Sequence, residues 1–295
     1  MFKKDKSGII ANIVLALFSL VFVIPFILVI SISLSQDSDL ATYGYTLLPK
    51  AINFDAYRVI FANPTQLINS YGVTTFSSAV GTVLGVLIMA MVAYPLSRST
   101  FSYRKIIMFF ILFTMLFGGG LIPSYIVLTR YLKLGNTIWI HVLSGLINAF
   151  HIIILRTFFK GIPSPLIESA KIDGASEFRI FFEVILPLAT PALATVAVFT
   201  VLARWNEWQV SLIYIRDAHL FSLQYLLQKI LQQAEFVNNM AKIMPGGIAP
   251  NSIYELPAEG MRFAMVVVTT GPMLFVFMFF QKYFAKGLTV GAVKG

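Results

Sequence analysis

The sequence predicts an all-α membrane protein: six transmembrane helices with a charged loop between the fourth and fifth. Three observations predict it. Hydrophobic residues make up 58% of the 295 and charged residues only 12%, more apolar surface than one soluble core of this length can hide. Six mostly apolar stretches recur along the chain, each near or above the roughly 20 residues that a bilayer crossing needs. The Lys and Arg behind the net charge of +9 stand in ones to threes at the ends of those stretches. That pattern encodes topology rather than a nucleic-acid patch. Cysteine is absent, which excludes disulfides, thiolate metal sites and cysteine nucleophiles.

The expected spans are Ile9 to Leu34, Tyr71 to Leu96, Ile106 to Leu128, Thr137 to Phe159, Leu188 to Tyr214 and Met261 to Phe284. Residues 1–70 hold the tail, the first span and an outer loop, residues 71–284 a core of five spans, and residues 285–295 a C-terminal tail. The first span follows Lys3, Lys4 and Lys6 like a signal peptide, but it is longer than the apolar core of one and lacks a small-residue cleavage site. It reads as a retained anchor. In the loop after it, Ala56 to Phe61 reads as a short amphipathic helix lying on the membrane surface. The second span carries Thr74, Ser77, Ser78, Gly81, Thr82 and Gly85, small residues that let helices approach closely. The third contains Gly118-Gly119-Gly120 and Pro123 before Tyr125, a break that serves either as a hinge or substrate-facing element or as a packing kink.

In the fourth span Ser144, Asn148 and His151 fall on one helical face, facing either a translocation path or a neighbouring helix. The fifth carries Arg204-Trp205-Asn206-Glu207-Trp208, where an arginine and a glutamate three apart can pair and so lower the cost of burying either. Trp205 and Trp208 serve as interfacial anchors or as platforms for sugar rings. The outer loop 215–260 begins with an amphipathic helix over Phe221 to Phe236 and continues as a Pro/Gly lobe from Met244.

With the N-terminus inside, thirteen Lys and Arg flank the inner ends of the spans and eight the outer, spread over longer loops. The bias favours both termini in the cytoplasm. The charged loop 162–187 then lies in the cytoplasm as well. Pro163 and Pro165 open its first helix, Glu168 sits near the positive end of that helix's dipole, and Gly174 after Asp173 is a stop or sharp bend. A second short helix from Ser176 places Phe178, Phe181 and Phe182 on one side and ends at Leu186 before Pro187.

These residues resemble the "EAA" loop of ABC importer permeases: Glu-Ala-Ala, three residues, Gly, nine residues, Ile, one residue, Leu-Pro. Glu168, Ala170, Gly174, Leu186 and Pro187 fall on that spacing, with Ser169 and Val184 as small departures. The glycine-rich tail Gly287 to Gly295, the Trp-Asn-Glu-Trp run and Asn238 to Ala241 are similar to the carbohydrate-type branch, closest to the polysaccharide and complex-oligosaccharide permeases.

The resemblance implies a type I importer permease of the bacterial cell membrane. It pairs with a homologous second permease, two cytoplasmic ATPase subunits and an extracellular solute-binding lipoprotein, and moves a sugar by alternating access. Glu168, Ser169, Ala170, Asp173, Gly174, Ala175, Leu186 and Pro187 would couple to the ATPase. Trp205, Asn206, Glu207, Trp208, Ser144, Asn148 and Tyr125 are candidates for the substrate path. By similarity to maltose importers, Met244, Gly246, Gly247 and Asn251 would touch the binding protein. No cofactor is expected on this chain: ATP and Mg belong to the ATPase partner, and no phosphate-binding G-x-x-x-x-G-K-[ST] loop occurs. Three alternatives stand beside this reading. An ion-coupled transporter would need charged residues in several spans or broken helices in both halves. An intramembrane enzyme would need a catalytic pair at depth, where Glu207 is the sole carboxylate. The third is an importer for a solute other than sugar.

Overall fold

A computed structural model describes residues 6–243 and 257–292. Among the described residues every regular element is helical. The chain divides into two compact units, one of residues 1–67 with 226–272, the other of residues 68–225 with 273–295.

In the first unit the long helix α1 (Lys6–Ser33) is followed by α2 (Asp37–Tyr43) and α3 (Asp55–Ile60). The short helix expected over Ala56 to Phe61 is α3, and α2 precedes it. α3 turns Ala56 and Ile60 into the protein and leaves Arg58 outside. Polar anchors fix this connection: Ser31 donates to the Thr46 carbonyl at 2.8 Å, and the Ser33 and Tyr57 hydroxyls share a 2.8 Å hydrogen bond. Asp37 accepts from the Glu259 and Gly260 amides at 3.1 and 3.0 Å, a carboxylate at the positive end of the last helix, Ala258–Ala292. The amphipathic helix expected from Phe221 runs Leu223–Ile243 instead, burying Leu226, Leu227 and Ala234 while Gln228, Gln232 and Gln233 stay exposed.

The second unit is organised on α4 (Pro64–Ser97). Then come α5 (Arg104–Leu116), α6 (Leu121–Tyr131, its last five residues a π-turn), α7 (Ile138–Leu143), α8 (Ala149–Lys160), α9 (Ser164–Ile172), α10 (Glu177–Leu188), α11 (Thr190–Trp205) and α12 (Gln209–Tyr214). The small residues of α4 are used for close approach. A Cβ on Gly85 would stand 2.7 Å from the Leu146 carbonyl oxygen, and one on Gly81 would stand inside the Arg204 guanidinium. The main core joins Met89, Ala90 and Ala93 of α4 to Leu155 and Phe159 of α8, Ile180 and Ile185 of α10, and Ala192 and Val196 of α11.

Among the described residues three helices are long and apolar enough to cross a membrane: Asn12–Ser33, Pro64–Ser97 and Ala258–Val276. Three bent pairs raise the number to six if each is one span. The glycine break expected in the third span is present: α5 and α6 meet at 112° across Phe117–Gly120, with Gly120 at φ +81°.

The fourth and fifth spans are not the continuous helices expected. Gly145 at φ +65° ends α7, and Asn148 starts α8 by accepting from the Phe150 and His151 amides at 2.9 and 3.2 Å. An asparagine side chain is worth more at an N-cap than inside a helix. Ser144, Asn148 and His151 therefore do not share one helical face. The fifth span breaks at Asn206–Trp208 because Glu207 caps α12, its Oε1 accepting from the Gln209 and Val210 amides at 2.6 and 3.1 Å.

Candidate coupling elbow and broken-helix junction

Pro163, extended at ψ 128°, turns the chain into α9, and Pro165 occupies its first turn, where no amide partner is lost. α9 closes as a left-handed C-cap. Gly174 takes φ +78°, and the Ala175 amide reaches back to the Ala170 carbonyl at 2.9 Å. Ser176 then caps α10, its Oγ accepting from the Arg179 amide at 3.3 Å. The two arms are tied across the glycine: Lys171 Nζ stands 2.5 Å from Glu177, and the Tyr94 hydroxyl of α4 donates to the same carboxylate at 2.9 Å. The hydrogen bond from Lys171, with a second from Tyr94, holds the Glu177 carboxyl below the usual carboxylate range.

The three phenylalanines of the second arm do not share a side. Phe181 is buried against Tyr94, while Phe178 and Phe182 are exposed. A π-turn over Phe181–Ile185 rotates the helix, the Leu186 amide bonding back to the Phe181 carbonyl, so that α10 runs past Pro187 to Leu188 instead of ending at Leu186. Glu168, Ser169, Asp173, Gly174 and Pro187 are exposed, and Ala170, Ala175 and Leu186 partly so. One further residue joins this surface. Ile172, at the tip, is 86% exposed between Lys171 and Asp173. An isoleucine in the most charged segment of the chain was the sequence signal for it.

At the junction beyond α11, Arg204 and Glu207 are not in ion-pair contact. Glu207 is committed to its capping role, and the Arg204 Nη1 donates to the His141 carbonyl at 2.9 Å. Arg204 is buried, and its Nε and Nη2 have no hydrogen-bond partner among the described residues. Trp205 is buried, whereas Trp208 is partly exposed and Asn206 accepts from Gln224 at 3.1 Å. Tyr125 stacks on Tyr214 with ring centres 5.6 Å apart. Ser144 and Asn148 lie in the other break, the one that meets α4 at Gly85. Met244, Gly246, Gly247 and Asn251 fall outside the described residues.

The helix-glycine-helix elbow keeps the spacing that prompted the resemblance, and residues 72–290 match a family described as the binding-protein-dependent transport system inner membrane component. The chain belongs to this permease family. The polygalacturonan/rhamnogalacturonan transport system permease protein YtcP of Bacillus subtilis is 38% identical, the match covering 95% of this chain and 96% of that one. The arabinooligosaccharides transport system permease protein AraQ of the same organism is 30% identical over the whole of both chains. Among solved structures, a bacterial ABC transporter involved in the import of the acidic polysaccharide alginate superposes with a TM-score of 0.73 at 29% identity, covering 96% of this chain and 99% of that one. The permease is thus an ABC importer subunit with an all-α, multi-span membrane fold.

Proposed function

We propose that this permease crosses the bacterial cell membrane six times with both termini in the cytoplasm. It pairs with a homologous permease and admits an oligosaccharide or polysaccharide fragment by alternating access. The relatives named for polygalacturonan, rhamnogalacturonan and alginate favour a fragment carrying uronic acids. An extracellular binding lipoprotein delivers the sugar, and two cytoplasmic ATPase subunits supply the energy. Residues 162–187 dock on one of them: Glu168 to Ala175 form the contact, and Leu186 and Pro187 carry the motion into the membrane. The substrate path runs past Trp208, Asn206, Ser144 and Tyr125, and the segment holding Met244, Gly246, Gly247 and Asn251 meets the binding protein.

The observation that carries the coupling role is the exposed Ile172 on a tip whose neighbours are charged. The charged neighbours Lys171 and Asp173 keep this tip out of hydrocarbon, so a protein groove is the surface that would take Ile172 out of water. Covering it is worth about 1.5–3 kcal/mol, and an aspartate covered in its place would be a buried charge without a partner. Co-purification of the tagged permease with its membrane complex tests this. Wild type should bring down a second permease and an ATPase, and Ile172→Asp should lose the ATPase while keeping the second permease. Wild-type chain that purifies alone and still transports would replace the importer reading with an ion-coupled one.

A further inference from the structure

Two cavities adjoin where α4 leaves the apolar stretch. One, about 390 Å³, is walled by Met91, Pro95, Phe101, Phe178 and Phe181. The other, about 500 Å³, is lined by Arg98, Arg104, Lys160 and Lys171 with the carboxylates of Glu168 and Glu177. They share Tyr94, Arg98, Thr100 and Glu177, so one wall is common to both. The charges do not cancel. Four cations face two carboxylates, and Glu177 is already held by Lys171 and Tyr94. Arg98 lies over the Tyr94 ring at 5.0 Å, and its Nε and Nη2 are buried with no hydrogen-bond partner among the described residues. Arg104 is anchored beside it by a 3.2 Å hydrogen bond from Nη1 to the Arg98 carbonyl.

We propose that this double cavity seats one anionic phospholipid from the inner leaflet, its phosphate on Arg98 and Arg104 and part of an acyl chain in the apolar lobe. An anion alone would use only the basic half. An apolar chamber opening beside it, just where the hydrophobic part of α4 ends at Ser97, matches the division of a lipid between headgroup and tail. Basic pockets between helices on the cytoplasmic side bind anionic headgroups for the same reason, and Arg is suited to phosphate by its planar fork of donors. The seat is built from both sides of the coupling path: Arg98 follows α4, while Glu177, Phe178 and Phe181 belong to α10. A lipid bound there would tie the elbow to the longest helix of its unit, making coupling sensitive to the anionic lipid content of the membrane.

The test is native mass spectrometry of the intact complex after equilibration with phosphatidylglycerol, phosphatidylcholine or inorganic phosphate. Wild type should retain phosphatidylglycerol in preference to phosphatidylcholine. Losing one charge-assisted contact in Arg98→Gln should weaken that retention by about tenfold or more. Met91→Trp fills the apolar lobe and leaves all four cations in place, so its loss of retention reports the acyl chain alone. It also carries the test if Arg98→Gln proves unstable in a thermal melt. Equal retention of the two lipids by wild type would overturn the proposal. So would retention unchanged in Met91→Trp, or displacement of phosphatidylglycerol by millimolar inorganic phosphate, either of which describes a phosphate site with no lipid tail. Because the readout is lipid retained, it stands or falls independently of which sugar or ATPase the complex uses.

Discussion

Two glycines of one helix should respond to the same substitution with opposite signs. In α4, a Cβ added at Gly72 meets nothing within 4 Å, whereas one added at Gly85 stands 2.7 Å from the Leu146 carbonyl oxygen. Alanine in a helix interior is favoured over glycine by roughly 0.5–1 kcal/mol, and that gain applies at both positions. At Gly85 the methyl must also displace a backbone carbonyl by more than half an ångström, since ordinary contact begins near 3.4 Å. The carbonyl belongs to the short segment pinned between the end of α7 and the Asn148 cap, so it cannot yield as a side-chain tip would. Overpacking of this kind costs about 1–3 kcal/mol. Gly72→Ala should therefore be stabilised and Gly85→Ala destabilised, the two differing by about 1–3 kcal/mol because the propensity gain cancels between them. Unfolding of the purified chain by sodium dodecyl sulfate in mixed micelles, followed by helical circular dichroism, measures the difference directly. A Gly85→Ala chain as stable as Gly72→Ala would refute the claim that α4 and the 144–148 break are in backbone contact.

Gly174→Val forces a β-branched residue into φ +78°, at a cost of about 1–3 kcal/mol. It should loosen the elbow and lower sugar-stimulated ATPase turnover in proteoliposomes more than it lowers the melting temperature. Asn148→Ala removes the one oxygen that accepts from both the Phe150 and His151 amides at the start of α8 and should destabilise the chain by about 1 kcal/mol, read in the same micelle titration. Glu177 is held below its ordinary value of 4.5, so its contribution to stability is complete above that value and is lost as pH falls through the lower folded one. Between pH 7 and pH 3 the wild-type melting temperature should fall more steeply at the acid end than that of Glu177→Gln, and parallel curves would remove Glu177 from the account.

The parts of this fold legible in the sequence are those governed by one residue's local chemistry. Gly174 had to be a bend because a glycine directly after Asp173 is a natural helix stop, and it is one, at φ +78°. The triple glycine before Leu121 had to interrupt an otherwise uniform apolar run, and it does. Asn148 and Glu207 were misplaced for a physical reason. Each stands inside an apolar run long enough for a continuous span, and what breaks the run is a side-chain oxygen that accepts from the backbone amides two and three residues on. Capping decides both, and it turns two expected continuous spans into broken ones. Tyr94, hidden in an apolar run, gave no sign that its hydroxyl would reach a carboxylate 83 residues later. Such a contact depends on tertiary packing and has no sequence period.

Exposed apolar surface does not carry the same information everywhere on this molecule. α5 buries no residue, and Phe109, Phe110 and Leu116 stand more than half exposed. In a membrane, lipid tails satisfy such side chains as well as a protein partner would, so their exposure says nothing about what covers them. Ile172 and Phe178 are different. They project from a segment that also holds Glu168, Lys171, Asp173, Glu177, Arg179 and Glu183, which no hydrocarbon layer would accept. Their exposure, 86% and 69%, thus has a cost in water that only another protein or a lipid at the interface can remove. The partner of this permease is best sought from those two positions rather than from its larger greasy faces. Ile172→Asp should release the ATPase and leave lipid retention unchanged. Phe178→Asp, whose side chain also walls the apolar cavity, should lower lipid retention in the same mass-spectrometric comparison.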